Sequence, residues 1–182
     1  MILDGHVYSR TLEMETGVSI ITPNDFTSDG PYQIAYLLHG ACGNSADMVN
    51  YTMLPVYAND YRCIFVMPEA GRSLYADMAF GQNFFSYVAK ELPQICRSVF
   101  NISAKREDTF IIGHSMGGYG ALKCALTYPE RYAACCANAS GPLFLKDFLR
   151  ELREGSAEKY RALWGRQFID DYRAAFGEDY AW

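Results

Sequence analysis

Histidine is scarce in this 182-residue chain: His6, His39 and His114 are the only three, and none follows position 114. Chemistry that needs an imidazole from the C-terminal third is excluded within these residues. Clusters of lysine and arginine are also missing, and the net charge is −5. A phosphate-binding surface needs a concentrated basic face, so no nucleic acid is expected as a partner. No apolar run approaches the roughly 20 residues needed to cross a bilayer. Met1 to His6 lacks the basic-then-apolar pattern of a secretory signal. Neither a CxxC pair nor a zinc-ligand spacing occurs among the six cysteines, Cys42, Cys63, Cys96, Cys124, Cys135 and Cys136. No metal and no cofactor is therefore expected. Most of the cysteines sit inside apolar runs, where a thiol behaves as a small hydrophobe. Neighbours Cys135 and Cys136 would point to opposite faces of a strand. All six are read as reduced thiols, and the chain as cytoplasmic with no membrane partner.

What is present is a core. Half the residues are hydrophobic and a fifth are charged, the balance of one globular domain over 1–182. Val7 to Met14 and Val18 to Thr22 read as an antiparallel pair turning near Thr16-Gly17. Four short apolar runs follow: Tyr32 to Leu38, Cys63 to Met67, Phe110 to Ile112 and Tyr132 to Ala139. They lack polar alternation, as strands buried on both faces do. Helical patterns separate them: Ala46 to Tyr57, Phe84 to Phe100 and Gly118 to Thr127. Pro93 is expected to interrupt the second. Alternating strands and helices predict a three-layer α/β domain with a mostly parallel sheet and helices on both faces. Residues 141–182 carry helical patterns and many aromatics, but no further strand.

The chemistry concentrates in Gly113-His114-Ser115-Met116-Gly117-Gly118. A G-x-S-x-G between a strand and a helix is a nucleophile elbow, which exposes the serine oxygen on a sharp turn. Gly113 and Gly117 make that turn sterically possible. The N–H of Met116, at the helix start, is the expected first oxyanion donor. The second should come from the loop Leu37-Leu38-His39-Gly40-Ala41-Cys42-Gly43-Asn44, with Ala41 as the donor and Cys42 the near alternative. An alcohol becomes a nucleophile only when a base takes its proton. His39 is better suited to shaping its loop. His114 directly precedes the serine and should point away, and His6 starts an edge strand. None is assigned as the base.

Several stretches together resemble the esterase D-like branch of the α/β-hydrolases, which includes tributyrin esterases, S-formylglutathione hydrolases and feruloyl esterases. They are Leu37-Leu38-His39-Gly40 with Gly43-Asn44, Val66-Met67-Pro68, Gly71 to Met78, Glu91-Leu92-Pro93, the elbow through Lys123, Tyr128 to Arg131, and Ala139-Ser140-Gly141. The resemblance implies an α/β-hydrolase fold, Ser115 as nucleophile, and Met116 with Ala41 as the oxyanion hole. It implies a small-molecule ester or thioester substrate with a short acyl group. Tyr75 and Asp77 would sit near the site mouth. Residues 141–182 would form a helical cap. The family's acid and histidine follow the serine on two later strands, so the chain is expected to be truncated before them. None of Asp147, Asp170, Asp171 and Asp179 is promoted to that acid.

Three outcomes stay open at this level. The chain belongs to a serine esterase whose acid and base lie elsewhere; or it is a crippled homologue acting as a binding or oligomerising module; or it transfers acyl groups to an alcohol. An open sheet edge left by missing strands would favour pairing with a second copy, so a homo-oligomer is expected.

Overall fold

The computed structural model describes residues 1–25, 30–141 and 145–180. Residues 142–144, 181 and 182, part of the region expected to be a helical cap, lie outside them. Six strands form one mixed sheet: β1 (Ile2–Ser9), β2 (Met14–Ile21), β3 (Gln33–Leu38), β4 (Cys63–Pro68), β5 (Thr109–His114) and β6 (Ala134–Asn138), in the order β1-β2-β4-β3-β5-β6. β2 runs antiparallel to β1 and β4, while β4, β3, β5 and β6 are mutually parallel. β3 and β4 are apolar and buried almost throughout because both faces are covered, whereas β5 is only half-buried at Phe110 and Ile112.

Successive side chains on a strand face opposite ways, and the core divides accordingly. Ile34, Tyr36 and Leu38 of β3 join Ile64, Val66 and Ile111 in the larger core. Ala35 and Leu37 join Cys63, Phe65 and Met67 in the smaller one. The small core is covered by α1 (Asp47–Tyr51) and α2 (Leu54–Tyr57). The expected single helix over 46–57 is thus two short ones, parted at Thr52-Met53, with Pro55 in the first turn of the second, where proline lacks nothing. The large core takes α3 (Phe84–Ser86), a π-helical turn over 87–91 and α4 (Leu92–Val99). The expected helix is interrupted beside Pro93: it passes from α3 into the wide π turn and on into α4, with Pro93 in the first turn of α4.

The same core takes α5 (Met116–Thr127) and the C-terminal helices α6 (Leu145–Glu151), α7 (Ala157–Trp164) and α8 (Arg166–Phe176). Leu145, Phe148, Leu149, Ile169 and Tyr172 from these helices are buried with it. A chain of ring contacts runs from Tyr160 and Trp164 through Phe148 and Phe168 to Tyr172 and Phe176.

Two expectations are corrected. The first hairpin turns at residues 10–13, with Ser9 opposite Met14, and Gly17 lies within β2. A tertiary anchor holds that turn: the Glu91 carboxylate accepts the N–H of Arg10 and Thr11 and the hydroxyl of Ser9, at 2.8, 3.1 and 2.5 Å. β6 is not buried on both faces. It is the edge strand, and Ala134, Cys135, Cys136 and Asn138 are exposed. Beside it an apolar groove of about 540 Å³ lies open on the small-core face, lined by Ala35, Phe65, Phe110, Ile112 and Cys136 among others.

All six cysteines are free. Burial pushes the thiols of Cys63, Cys96 and Cys124 up to about 12, so these three behave as inert core groups. Cys42, Cys135 and Cys136 are exposed, against the expectation that most pack in the core.

Candidate active site

Ser115 stands at the junction of β5 and α5 with φ 54° and ψ −116°. A side-chain-bearing residue reaches that region only when its surroundings force it, and such strain concentrates at functional sites. The forcing groups are visible. The Ser115 N–H donates to Asn138 O at 2.9 Å, while its carbonyl accepts the N–H of Tyr119 and of Gly141 at 3.1 and 2.8 Å. The turn closes on itself so tightly that a Cβ on Gly113 would stand 1.9 Å from Gly117 O. One on Gly117 would stand 2.0 Å from Leu38 O. Glycine at both positions lets α5 start against the end of β3, which brings the next loop to the serine.

That loop is His39-Gly40-Ala41. A Cβ on Gly40 would lie 3.5 Å from Ser115 Cβ, so the Gly40 backbone is the serine's neighbour. The peptide between Gly40 and Ala41 is held from its carbonyl end. Gly40 O accepts Nδ1–H of His39 at 2.8 Å and the N–H of Gly43 at 3.0 Å. Because the peptide is planar and trans, fixing that carbonyl aims the Ala41 N–H the opposite way. His39 is buried, and its Nε2 accepts the Ala70 N–H at 3.0 Å. With one ring nitrogen donating and the other accepting, the imidazole is the neutral tautomer. Its own carbonyl accepts the hydroxyl of buried Tyr75 at 3.1 Å.

Glu69 anchors the loops around this histidine. Its carboxylate accepts the N–H of Gly71 at 2.7 Å and those of Ala70 and Ser45 at 3.1 Å each. Burial raises its carboxyl, but hydrogen bonding from the N–H groups of Gly71 and Ser45 outweighs this and holds it well below the usual carboxylate range. The His39 Nε2–Glu69 contact at 3.3 Å is no ion pair, since Nε2 already accepts from Ala70. The backbone N–H groups are therefore the main holders of the charge.

A cavity of about 50 Å³ opens at the serine, walled by Ala41, Leu74, Met116, Tyr119, Gly141, Leu145, Phe168, Tyr172 and Phe176. The structure thus brings together all three residues singled out in the sequence: Ser115, Met116 and Ala41 line one pocket. Aromatic residues of the C-terminal region divide between pocket wall and core, and Phe168, Tyr172 and Phe176 serve as wall. Tyr75 is fully buried and props the His39 carbonyl, and a Cβ on Gly120 would meet its ring at 2.5 Å. Asp77 accepts the N–H and hydroxyl of Ser86 at the start of the α3–α4 helix.

No histidine hydrogen-bonds Ser115 among the described residues. His6 is on β1, across β2, β4 and β3 from the strand that carries the serine. His39 has both nitrogens engaged. His114 is exposed at the end of β5. The roles of Glu69 and Arg72 were not read from sequence. Glu69 adjoins a motif and carries no pattern of its own, and Arg72 acts through a partner 99 positions away.

In sequence and in architecture the chain matches known proteins. Residues 9–182 fit the model of the Esterase family, described as "Putative esterase". This chain belongs to that family. An acetyl esterase of Caldicellulosiruptor saccharolyticus is 31% identical over 186 residues, covering 97% of this chain and 67% of the relative. Among solved structures, the fluorophosphonate-binding serine hydrolase F of Staphylococcus aureus superposes with a TM-score of 0.73 at 34% identity, over 77% of this chain and 57% of that one. The S-formylglutathione hydrolase FrmB of the same organism superposes with a TM-score of 0.73 at 28% identity, over 94% and 72%. This member of the Esterase family thus has the α/β-hydrolase fold, and its chain spans between about half and three quarters of the length of these relatives. No helix among the described residues is long and apolar enough to cross a membrane.

Proposed function

We propose that this chain carries the nucleophile and oxyanion hole of a serine carboxylic-ester hydrolase for short acyl esters or thioesters. The observation that carries this reading is the strained backbone at Ser115, set against the Gly40–Ala41 loop at the mouth of a small apolar cavity. Ser115 Oγ attacks the acyl carbon, and its proton passes to a base. The tetrahedral oxyanion is met by the N–H of Met116 and of Ala41. It collapses with loss of the alcohol or thiol, leaving an acyl-serine. Water then repeats the attack and releases the carboxylic acid. The cavity of about 50 Å³ matches a small acyl group. At roughly 10–15 Å³ per water on the same measure, it accommodates about three to five waters, or an acyl chain of about two or three carbons. The relative named an acetyl esterase is in keeping with that size.

The acid and base belong, in this reading, to residues outside these 182, because no histidine follows Ser115 and both nitrogens of buried His39 are already engaged. A serine without its base adds little to the residual rate that binding and oxyanion donors sustain. The test supplies the base from solution. With p-nitrophenyl acetate, the chain should show a low rate that Ser115→Ala barely changes. Added imidazole should raise the rate of the wild-type chain above that of Ser115→Ala at the same imidazole concentration. Identical imidazole responses would sink the nucleophile assignment. A fast Ser115-dependent rate without imidazole would sink the missing base.

A second reading, self-association through the sheet edge, is favoured by β6. This strand is exposed, free of charge and proline, and adjoins the open apolar groove. Natural edges are usually blunted by such residues.

A further inference from the structure

We infer that Arg72 is a positioning residue for the oxyanion loop, and that Asp171 of the C-terminal helices holds it to that task. This rests on the reading of Ala41 as an oxyanion donor. Arg72 lies in the loop after β4, and each guanidinium nitrogen is engaged. Nε and one terminal nitrogen contact Asp171 Oδ2 at 2.7 and 2.6 Å. The other terminal nitrogen donates to Ala41 O at 3.2 Å and lies 3.7 Å from Cys42 Sγ. Asp171 is buried in α8, and its second oxygen accepts Gln167 Nε2 at 2.9 Å. A buried carboxylate with both oxygens occupied cannot rotate freely, so the guanidinium plane is fixed as well.

The consequence lies at Ala41. His39 and Gly43 fix the peptide before Ala41 through Gly40 O. Arg72 fixes the peptide after it through Ala41 O. The donor residue is thus clamped on both sides, and one of the clamps is anchored through Asp171 on the helix whose Phe168, Tyr172 and Phe176 wall the acyl pocket. One guanidinium joins the wall that sizes the acyl group to the loop that would meet its oxyanion. An ion pair needed only to dock α8 would use Asp171 alone; the third arm to Ala41 serves the loop.

The test uses Arg72→Met, Arg72→Lys and Ser115→Ala in the full chain with p-nitrophenyl acetate at fixed imidazole, together with backbone 15N order parameters. Lysine keeps a charge for Asp171 but cannot reach Ala41 O at the same time. Deleting an oxyanion donor costs about 100- to 1,000-fold in kcat, and loosening one should cost about 10-fold. The expected result is a kcat about 10-fold lower in both Arg72 variants with KM within about twofold, while Arg72→Lys keeps the thermal midpoint. Order parameters at Ala41 and Cys42 should fall from about 0.85 toward 0.6 in both variants. Unchanged order parameters, or kcat within about twofold of wild type beside a dead Ser115→Ala, would overturn the inference. If Ser115→Ala keeps the full imidazole-dependent rate, the site reading fails instead, and the order parameters still decide the clamp.

Discussion

At Ser115 the chain accepts a backbone conformation that a residue with a side chain rarely adopts, and the cost is met by three backbone hydrogen bonds that lock it. Glu69 does comparable work next door. It is a partly exposed carboxylate whose bonds to three N–H groups gather the ends of the β3 and β4 loops. The sign of its pH effect follows from its lowered pKa. Its usual value is 4.5 and its folded value about 2. Its contribution to stability is thus fully present above pH 4.5 and fades as pH falls toward 2. Thermal midpoints of wild type and Glu69→Ala should differ most near neutrality and converge between pH 4.5 and 2.5, with Glu69→Ala the less stable. A constant gap across that window would show that Glu69 stabilises by packing rather than as an anion.

Among the elements, those with strong local signals are legible in the sequence itself. The strands β3, β4 and β5 announce themselves as apolar runs, and α5 by its small residues, because burial on both faces and close packing leave a local mark. The turn at 10–13 did not, since its N–H groups are satisfied by Glu91, some 80 positions on. The glycine that suggested a turn, Gly17, sits in β2 opposite His6. The edge position of β6 was equally hidden: a buried strand and an uncovered one share the same composition. That strand carries the next expectation. Its uncharged edge should support self-association, visible as dimers or larger species by light scattering. Ala137→Lys should shift the population toward monomer with the fold retained by circular dichroism. A monomer that persists in the unsubstituted chain at high concentration would refute the edge pairing.

Across the whole molecule, the candidate site is one convergence of five chain segments: the loops after β3, β4 and β6, the β5–α5 junction and the C-terminal helices. Ser115, Met116 and Ala41 are proposed from the sequence because the turn demands glycine at 113 and 117 and the two backbone donors are placed by their position beside it, not by their residue type. Arg72 and Asp171 are not, because ion pairs between distant segments leave no local pattern. The central claim is that Ser115 is the nucleophile of an esterase site. It is tested most directly by intact-mass and peptide mass spectrometry after treatment with a fluorophosphonate, with imidazole as the base. The account predicts one covalent adduct, mapped to Ser115 and lost in Ser115→Ala. An adduct at another residue, or equal labelling of Ser115→Ala, would contradict it.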